Sequence, residues 1–237
     1  MEITPLGDSA LIVRIRDQFQ DAPARTLDEV LAAMHRIEHA QIPGIIELAP
    51  AYTTVAVYFD PIRVIDSGAD PGGVVDWLTT KLDDALGDSR RRRRDRRDRC
   101  SIEIPVCCDT EFALDLEQVA HRADISPAEV VDLYCAGTYW VGCIGFTPGF
   151  PFLLGLPQKL ATPRRDTPRK EVPAGSVAIG GKQTGIYPLR SPGGWNVIGR
   201  TPLRLFDPEN SPPTLLAVGD RIHFRAIARD EFEQLKG

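Results

Sequence analysis

Ten residues near the middle of the chain, Arg90 to Arg99, read RRRRRDRRDR, eight arginines against two aspartates. So dense a run of like charge repels itself and brings nothing to a core, so folded structure has to be built on either side of it. Apolar periodicity stops just before, at Leu86-Gly87-Asp88-Ser89, and strand-like alternation resumes just after, at Ile102-Glu103-Ile104-Pro105-Val106. This predicts a domain over residues 1–87, an arginine-rich linker over 88–101 and a second domain over 102–237. The ribbon carries +6 and the whole chain −5, which leaves −11 on the remainder. An acidic body opposes a polyanion, so a solvated connector is favoured over nucleic-acid binding.

In the first part, Ala10 to Ile15 reads as a strand, and Leu27, Val30, Leu31, Met34 and Ile37 share one helical face. Strands are expected at Ile45 to Leu48 and Thr53 to Phe59, then a helix carrying Val74, Val75, Leu78, Leu82 and Leu86. Strand, helix, two strands, helix predicts a small α/β sandwich with room for one further strand. In the second part, Asp115 with Gln118 has the spacing of a capping box, and Ser126, Pro127 and Glu129 supply a second helix start. From Phe146 onward, glycines and prolines separate short apolar runs at 177–179, 195–198, 203–206 and 221–224. Regular short strands with turn residues between them indicate a β-barrel or sandwich, so the chain as a whole is expected to be α+β.

No stretch approaches eighteen apolar residues, and Met1 to Asp8 lacks the basic and apolar segments of a signal peptide, so a cytoplasmic protein without a membrane span is expected. Cys100, Cys107, Cys108, Cys135 and Cys143 are odd in number and have no C-x-x-C spacing, which argues for reduced thiols. His35-Arg36-Ile37-Glu38-His39 matches a two-histidine zinc pattern but lacks an evident third ligand, and no metal site is assigned. Gly175 to Thr184 looks superficially like a phosphate loop. However, an extra glycine displaces its lysine, and Gln183 stands where a hydroxyl would meet magnesium, so a Walker site is rejected.

Three stretches remain as candidate chemistry. Gly145-Phe146-Thr147-Pro148-Gly149-Phe150-Pro151-Phe152 combines an irregular backbone with three aromatics, suited either to pocket walls or to barrel core. Pro163-Arg164-Arg165-Asp166-Thr167-Pro168-Arg169-Lys170 gathers cations in a proline-stiffened loop, suited to carboxylate or phosphate or simply solvated. Lys182, Gln183, Thr184 and Tyr187 precede Ser191-Pro192-Gly193-Gly194-Trp195, whose glycines permit close backbone approach or a tight turn over a buried Trp.

In this order, those stretches resemble the family of B-type 5-oxoprolinase subunits, also known as allophanate hydrolase subunit 1 or the KipI type of kinase inhibitor. The matching residues are Gly145 to Phe150, Pro163-Arg164, Pro168-Arg169, Val172 to Val177, Gln183 to Pro188, Ser191 to Trp195 and Gly199 to Pro202. Gly7 to Leu11 and Ile45 to Pro61 extend the likeness to the first half. The resemblance implies a small α/β domain followed by a cyclophilin-like β-barrel. It also implies ATP-dependent opening of 5-oxo-L-proline to L-glutamate, with magnesium shared with a partner and no biotin on this chain.

A second cyclophilin-like subunit of the C type and a third of the A type are the implied partners. Under that reading Arg164 and Arg169 neutralise a carboxylate or phosphate, and Lys182 and Gln183 orient the reacting oxygens. Tyr187 supplies a hydroxyl, and Phe146, Pro148, Gly149, Phe150, Pro192, Gly193, Gly194 and Trp195 line the substrate. Replacing Arg169 by Ala is expected to lower turnover without unfolding the chain. The chain departs from the family at Tyr134, where relatives often carry histidine, at Phe152, where many carry tyrosine, and at Cys108-Asp109, so no proton-handling role is carried over there. Inhibition of a sensor histidine kinase and carboxyl transfer in a urea-degrading system are the rival readings.

Overall fold

The computed structural model describes residues 2–17, 23–87 and 101–236, which form two compact units, Met1–Asp98 and Arg99–Gly237. The arginine ribbon and Cys100 lie outside the described residues.

The first unit is a four-stranded antiparallel sheet covered by helices. Its strands are β1 (Glu2–Pro5), β2 (Ala10–Arg14), β3 (Ile45–Ala51) and β4 (Thr54–Phe59), in the order β1-β2-β4-β3. The further strand left open by the sequence pattern is β1, which pairs with β2 from Glu2 opposite Arg14 to Pro5 opposite Leu11. Val55, Val57 and Phe59 alternate into the core, as a half-buried strand requires. They meet Val30, Ala33 and Ile37 of α1 (Pro23–Ala40) and Leu78 and Leu82 of α3 (Val74–Gly87). The periodicity did not show the intervening α2 (Pro61–Asp66), which starts on Asp60: its carboxylate accepts from Ile62 N at 2.9 Å, with Pro61 at the first helical position.

The second unit is a closed seven-stranded barrel in the order β10-β7-β6-β13-β5-β12-β9. It comprises β5 (Ser101–Cys107), β6 (Tyr139–Ile144), β7 (Pro151–Leu154), β9 (Ser176–Gly180), β10 (Gln183–Ile186), β12 (Asn196–Arg200) and β13 (Arg221–Ile227). Its first and last strands, β5 and β13, pair in parallel, and the other ladders are antiparallel. A separate ribbon of β8 (Arg169–Val172) and β11 (Ser191–Gly193) is also present. Two helices, α4 (Leu116–Ala123) and α5 (Pro127–Cys135), contribute Leu116, Val119, Val130 and Tyr134 to the same core as Val177, Ile179, Ile198 and Phe224. A last helix, α6 (Arg229–Leu235), packs Phe232 against Phe112 beside Cys107.

Two expectations are corrected. Residues 203–206 form no strand: that run makes a single bridge, Phe206 to Thr214, and Leu203 packs from a loop. Asp115 does stand at the start of α4, but its side chain makes no capping bond. The second helix start is a true capping box: Glu129 N donates to Ser126 Oγ at 3.3 Å, and Ser126 N donates back to the Glu129 carboxylate at 2.8 Å.

Candidate functional site

Alternation along the barrel strands sorts residues onto two faces. Val177, Ile179, Ile186, Leu153 and Ile198 point into the main core, while Ala178, Val197 and Phe152 join Phe150, Val172, Tyr187 and Trp195 in a second cluster. In this second cluster Phe150 is the hub, with ring centroids 5.2 Å from Tyr187, 5.6 Å from Trp195 and 4.9 Å from Phe152. The two near-perpendicular contacts, to Tyr187 and Trp195, have the edge-to-face geometry that aromatic quadrupoles favour.

Glycines let these rings lie against backbone. A Cβ on Gly180 would fall 2.5 Å from the Trp195 ring, and one on Gly193 would collide with Tyr187 Oη. The glycine requirement at Gly193 is therefore met within the protein, by Tyr187. At Gly194 the carbonyl accepts from Arg165 N at 2.8 Å, which fixes the arginine loop to the same turn.

Above the rings stands the Pro163–Lys170 loop. Asn196, fully buried, anchors its start by donating from Nδ2 to the Pro163 carbonyl at 2.8 Å and the Ile179 carbonyl at 3.1 Å. Arg164 is exposed, with its guanidinium carbon 5.8 Å from the Trp195 ring centroid, at the outer limit of a cation–π contact. Arg169 is engaged differently: its Nη1 and Nη2 donate to the two Asp115 carboxylate oxygens at 2.7 and 2.9 Å, the parallel fork arginine favours with carboxylate. Arg165 Nη1 adds a bond of 2.6 Å to Asp115 Oδ1, and Val197 N donates to Oδ2 at 2.8 Å.

Asp115, its side chain only 3% exposed, is thus the hub of the loop, and the fork of Arg169 is already filled. Sequence reasoning missed Asp115 as a site residue, because its side-chain partners lie 50, 54 and 82 residues away. Arg165 Nε is buried without an acceptor, an arrangement that costs about 1–3 kcal/mol when a donor goes unmet.

The remaining expected residues take up three positions. Burial pushes the Tyr187 phenol up, while the Trp195 backbone N–H and the Arg164 and Arg169 charges pull the other way, so it stays a neutral hydroxyl beside both cations. Lys182 is exposed in the β9–β10 turn, next to Gly181, which exchanges backbone bonds of 2.7 and 3.1 Å with Thr162 just before the arginine loop. Gln183 opens β10 opposite Gly180, while Pro148 and Pro192 are exposed.

Phe146 is 67% exposed and has φ of 70°, with Thr147 N donating to Gly145 O at 2.9 Å across it. That is a γ-turn, a strained conformation for a bulky side chain. Gly149, φ 77°, completes the loop with no room for a Cβ, which would fall 2.9 Å from Phe206 Cβ.

The family model described as "Carboxyltransferase domain, subdomain C and D" matches residues 1–216. The B-type 5-oxoprolinase subunit of Bacillus subtilis (strain 168) is 40% identical over 240 residues, 99% of this chain and 96% of that relative. The chain belongs to the family of B-type 5-oxoprolinase subunits. Among solved structures, this family member is similar to TTHA0988, with a TM-score of 0.72 at 35% identity; the match covers 92% of this chain but 40% of that longer one. A conserved uncharacterized protein of Pyrococcus horikoshii, PH0987, matches at 36% identity and a TM-score of 0.55, over 98% of this chain and 100% of its own. The second unit is the cyclophilin-like barrel implied by the resemblance.

Against that family background, Tyr134 is a core residue. Its hydroxyl lies 2.7 Å from Thr184 Oγ1, which bonds onward to the Ala178 carbonyl at 2.8 Å, and burial holds its pKa well above the usual phenol range. Burial, reinforced by Cys135, likewise pushes the Cys108 thiol up to about 12, so at neutral pH it is no thiolate nucleophile. Among the described residues no three His, Cys, Asp or Glu side chains gather as a metal site, and no helix is long and apolar enough to cross a membrane.

Proposed function

We propose that this chain belongs to an ATP-dependent 5-oxoprolinase complex that opens 5-oxo-L-proline to L-glutamate. The observation that carries the reading is the arginine loop held beside Trp195 by the Asp115 carboxylate and the Gly194 carbonyl. 5-Oxoproline bears one carboxylate, which a cluster of guanidinium groups suits, and the buried Phe150, Tyr187 and Trp195 rings form the core that backs the arginine loop. The full-length likeness to the Bacillus subtilis protein supports the same substrate.

A lactam carbonyl is a poor electrophile. Transfer of the ATP γ-phosphoryl group to its oxygen, with ADP leaving, activates the carbon for water; breaking the C–N bond then gives γ-glutamyl phosphate, and a second water releases phosphate and glutamate. Such a transfer depends on positioning and on cations around the moving group. Arg164 and Lys182, both exposed, are the cations of this chain that fit the phosphates, and Tyr187 is a neutral hydrogen-bonding hydroxyl next to Arg164. Magnesium would be carried on phosphate oxygens and partner groups.

A second cyclophilin-like subunit of the C type and a third of the A type complete the assembly. The exposed ring of Phe146, displayed on a strained turn, suits coverage by such a partner. Coexpression with both partners, followed by assays for glutamate and ADP formed from 5-oxo-L-proline and ATP, tests the proposal. Glutamate formation that requires all three chains is the expected result, and its absence with all three present would reject the reading.

A further inference from the structure

We propose that Arg165 is the side chain that meets the substrate's oxyanion, and that Asp115 is the positioning residue which holds it ready with Arg169 as a brace. This role rests on the reading above, whose resemblance singled out Arg164 and Arg169 instead.

An ionised carboxylate offers about four acceptor positions. On Asp115 all four are taken: Oδ1 by Arg165 Nη1 and Arg169 Nη2, Oδ2 by Arg169 Nη1 and Val197 N. Arg169 meets both oxygens as a closed fork. Arg165 makes one bond from Nη1, keeps an unmatched Nε, and leaves 29% of its side chain open to solvent against 21% for Arg169. Of the five N–H donors on each guanidinium, Asp115 takes one from Arg165 and two from Arg169, so Arg165 has the larger remaining capacity and the more open side chain.

Charge points the same way. One carboxylate faces two guanidinium groups, so the cluster carries one surplus positive charge, and with Asp115 shielded from water that surplus is screened less than a surface charge would be. Placement agrees with both. Arg165 N is bonded to the Gly194 carbonyl, so this arginine is clamped at the rim next to Trp195, one residue from Arg164. The ligand group is a compact oxyanion, which is the 5-oxoproline carboxylate in one case and an ATP phosphate in the other.

Steady-state kinetics of the assembled complex separate these sources. Arg165→Gln is expected to raise KM at least tenfold for the substrate whose oxyanion Arg165 holds, with kcat and melting temperature changed far less. Arg165→Lys keeps the charge but loses the fork, and should recover part of the loss. Asp115→Asn gives the sharper test. It adds net positive charge, so a purely electrostatic role predicts tighter binding, whereas positioning predicts that KM rises along with that of Arg165→Gln. Unchanged KM for both substrates in Arg165→Gln, or tighter binding in a folded Asp115→Asn chain, would overturn the proposal. If the wild-type complex forms no glutamate, the functional reading fails on its own. Titration of the full chain with inorganic phosphate then decides the subsite: loss of binding in Arg165→Gln supports it, and equal behaviour of variant and wild type rejects it.

Discussion

Removing the Asp115 carboxylate takes the common acceptor from two guanidinium groups and from Val197 N at once. Breaking a buried ion pair from one side typically costs about 3–5 kcal/mol, and we expect Asp115→Ala to destabilise the chain on that scale in urea unfolding. Arg169→Ala should also lose stability, because it strips the carboxylate of its two-pronged partner. The sequence expectation for this variant is lower turnover without unfolding, and a measurable loss of stability is expected beside it. Gly193→Ala places a methyl group against Tyr187 Oη, and over-packing of this kind costs about 1–3 kcal/mol. Adding Tyr187→Phe removes the clashing oxygen, so the double variant is expected to regain part of the loss in a double-mutant cycle. The same residues mark where sequence reasoning stopped. Asp115 and Gln118 have the spacing of a capping box, and local spacing carries no sign that the carboxylate turns away to residues 165, 169 and 197.

Elements were more legible where burial imposes a period. Helix α1 and strand β4 show their core-facing residues in the sequence, and Ser126 with Glu129 marks a helix start because both halves of that box are local. Strand β1 is four residues long with an intermediate or exposed pattern, so only its pairing with β2 defines it. The apolar run at 203–206 has strand-like composition, yet it lies between the barrel strands β12 and β13 and packs from a loop. Turns and caps can be tested directly. Phe146→Gly relieves the γ-turn and is expected to raise stability by about 1 kcal/mol in thermal unfolding while lowering turnover of the complex, the trade that strained functional turns impose. At α5, the Ser126 backbone N–H, helped by its hydroxyl, holds the Glu129 carboxyl below its usual range. A folded-state pKa below the unfolded one contributes stability that is present above the unfolded value and is lost as pH falls through the folded one. Stability measured from pH 6 down to about 3, a window spanning the ordinary Glu pKa, should therefore fall less steeply in Glu129→Gln than in the parent.

For the whole molecule, the chain divides into two units between Asp98 and Arg99, and we propose that the arginine ribbon serves as a connector. Deleting residues 90–99 is expected to leave 5-oxoprolinase activity of the complex within about twofold, since loop length alters closure entropy only slowly. A nucleic-acid role would instead show as affinity that falls steeply with salt and disappears with the deletion. The parallel ladder of β5 and β13 bears on how the second unit is made. Arg225 of β13 reaches Glu103 of β5 across 122 residues of chain, so the edge of β5 that β13 covers waits until residues 221–227 have been synthesised. During that interval β5 presents an unsatisfied edge, and a ribosome stalled before Arg221 would hold out an unclosed sheet open to aggregation or capture by a chaperone.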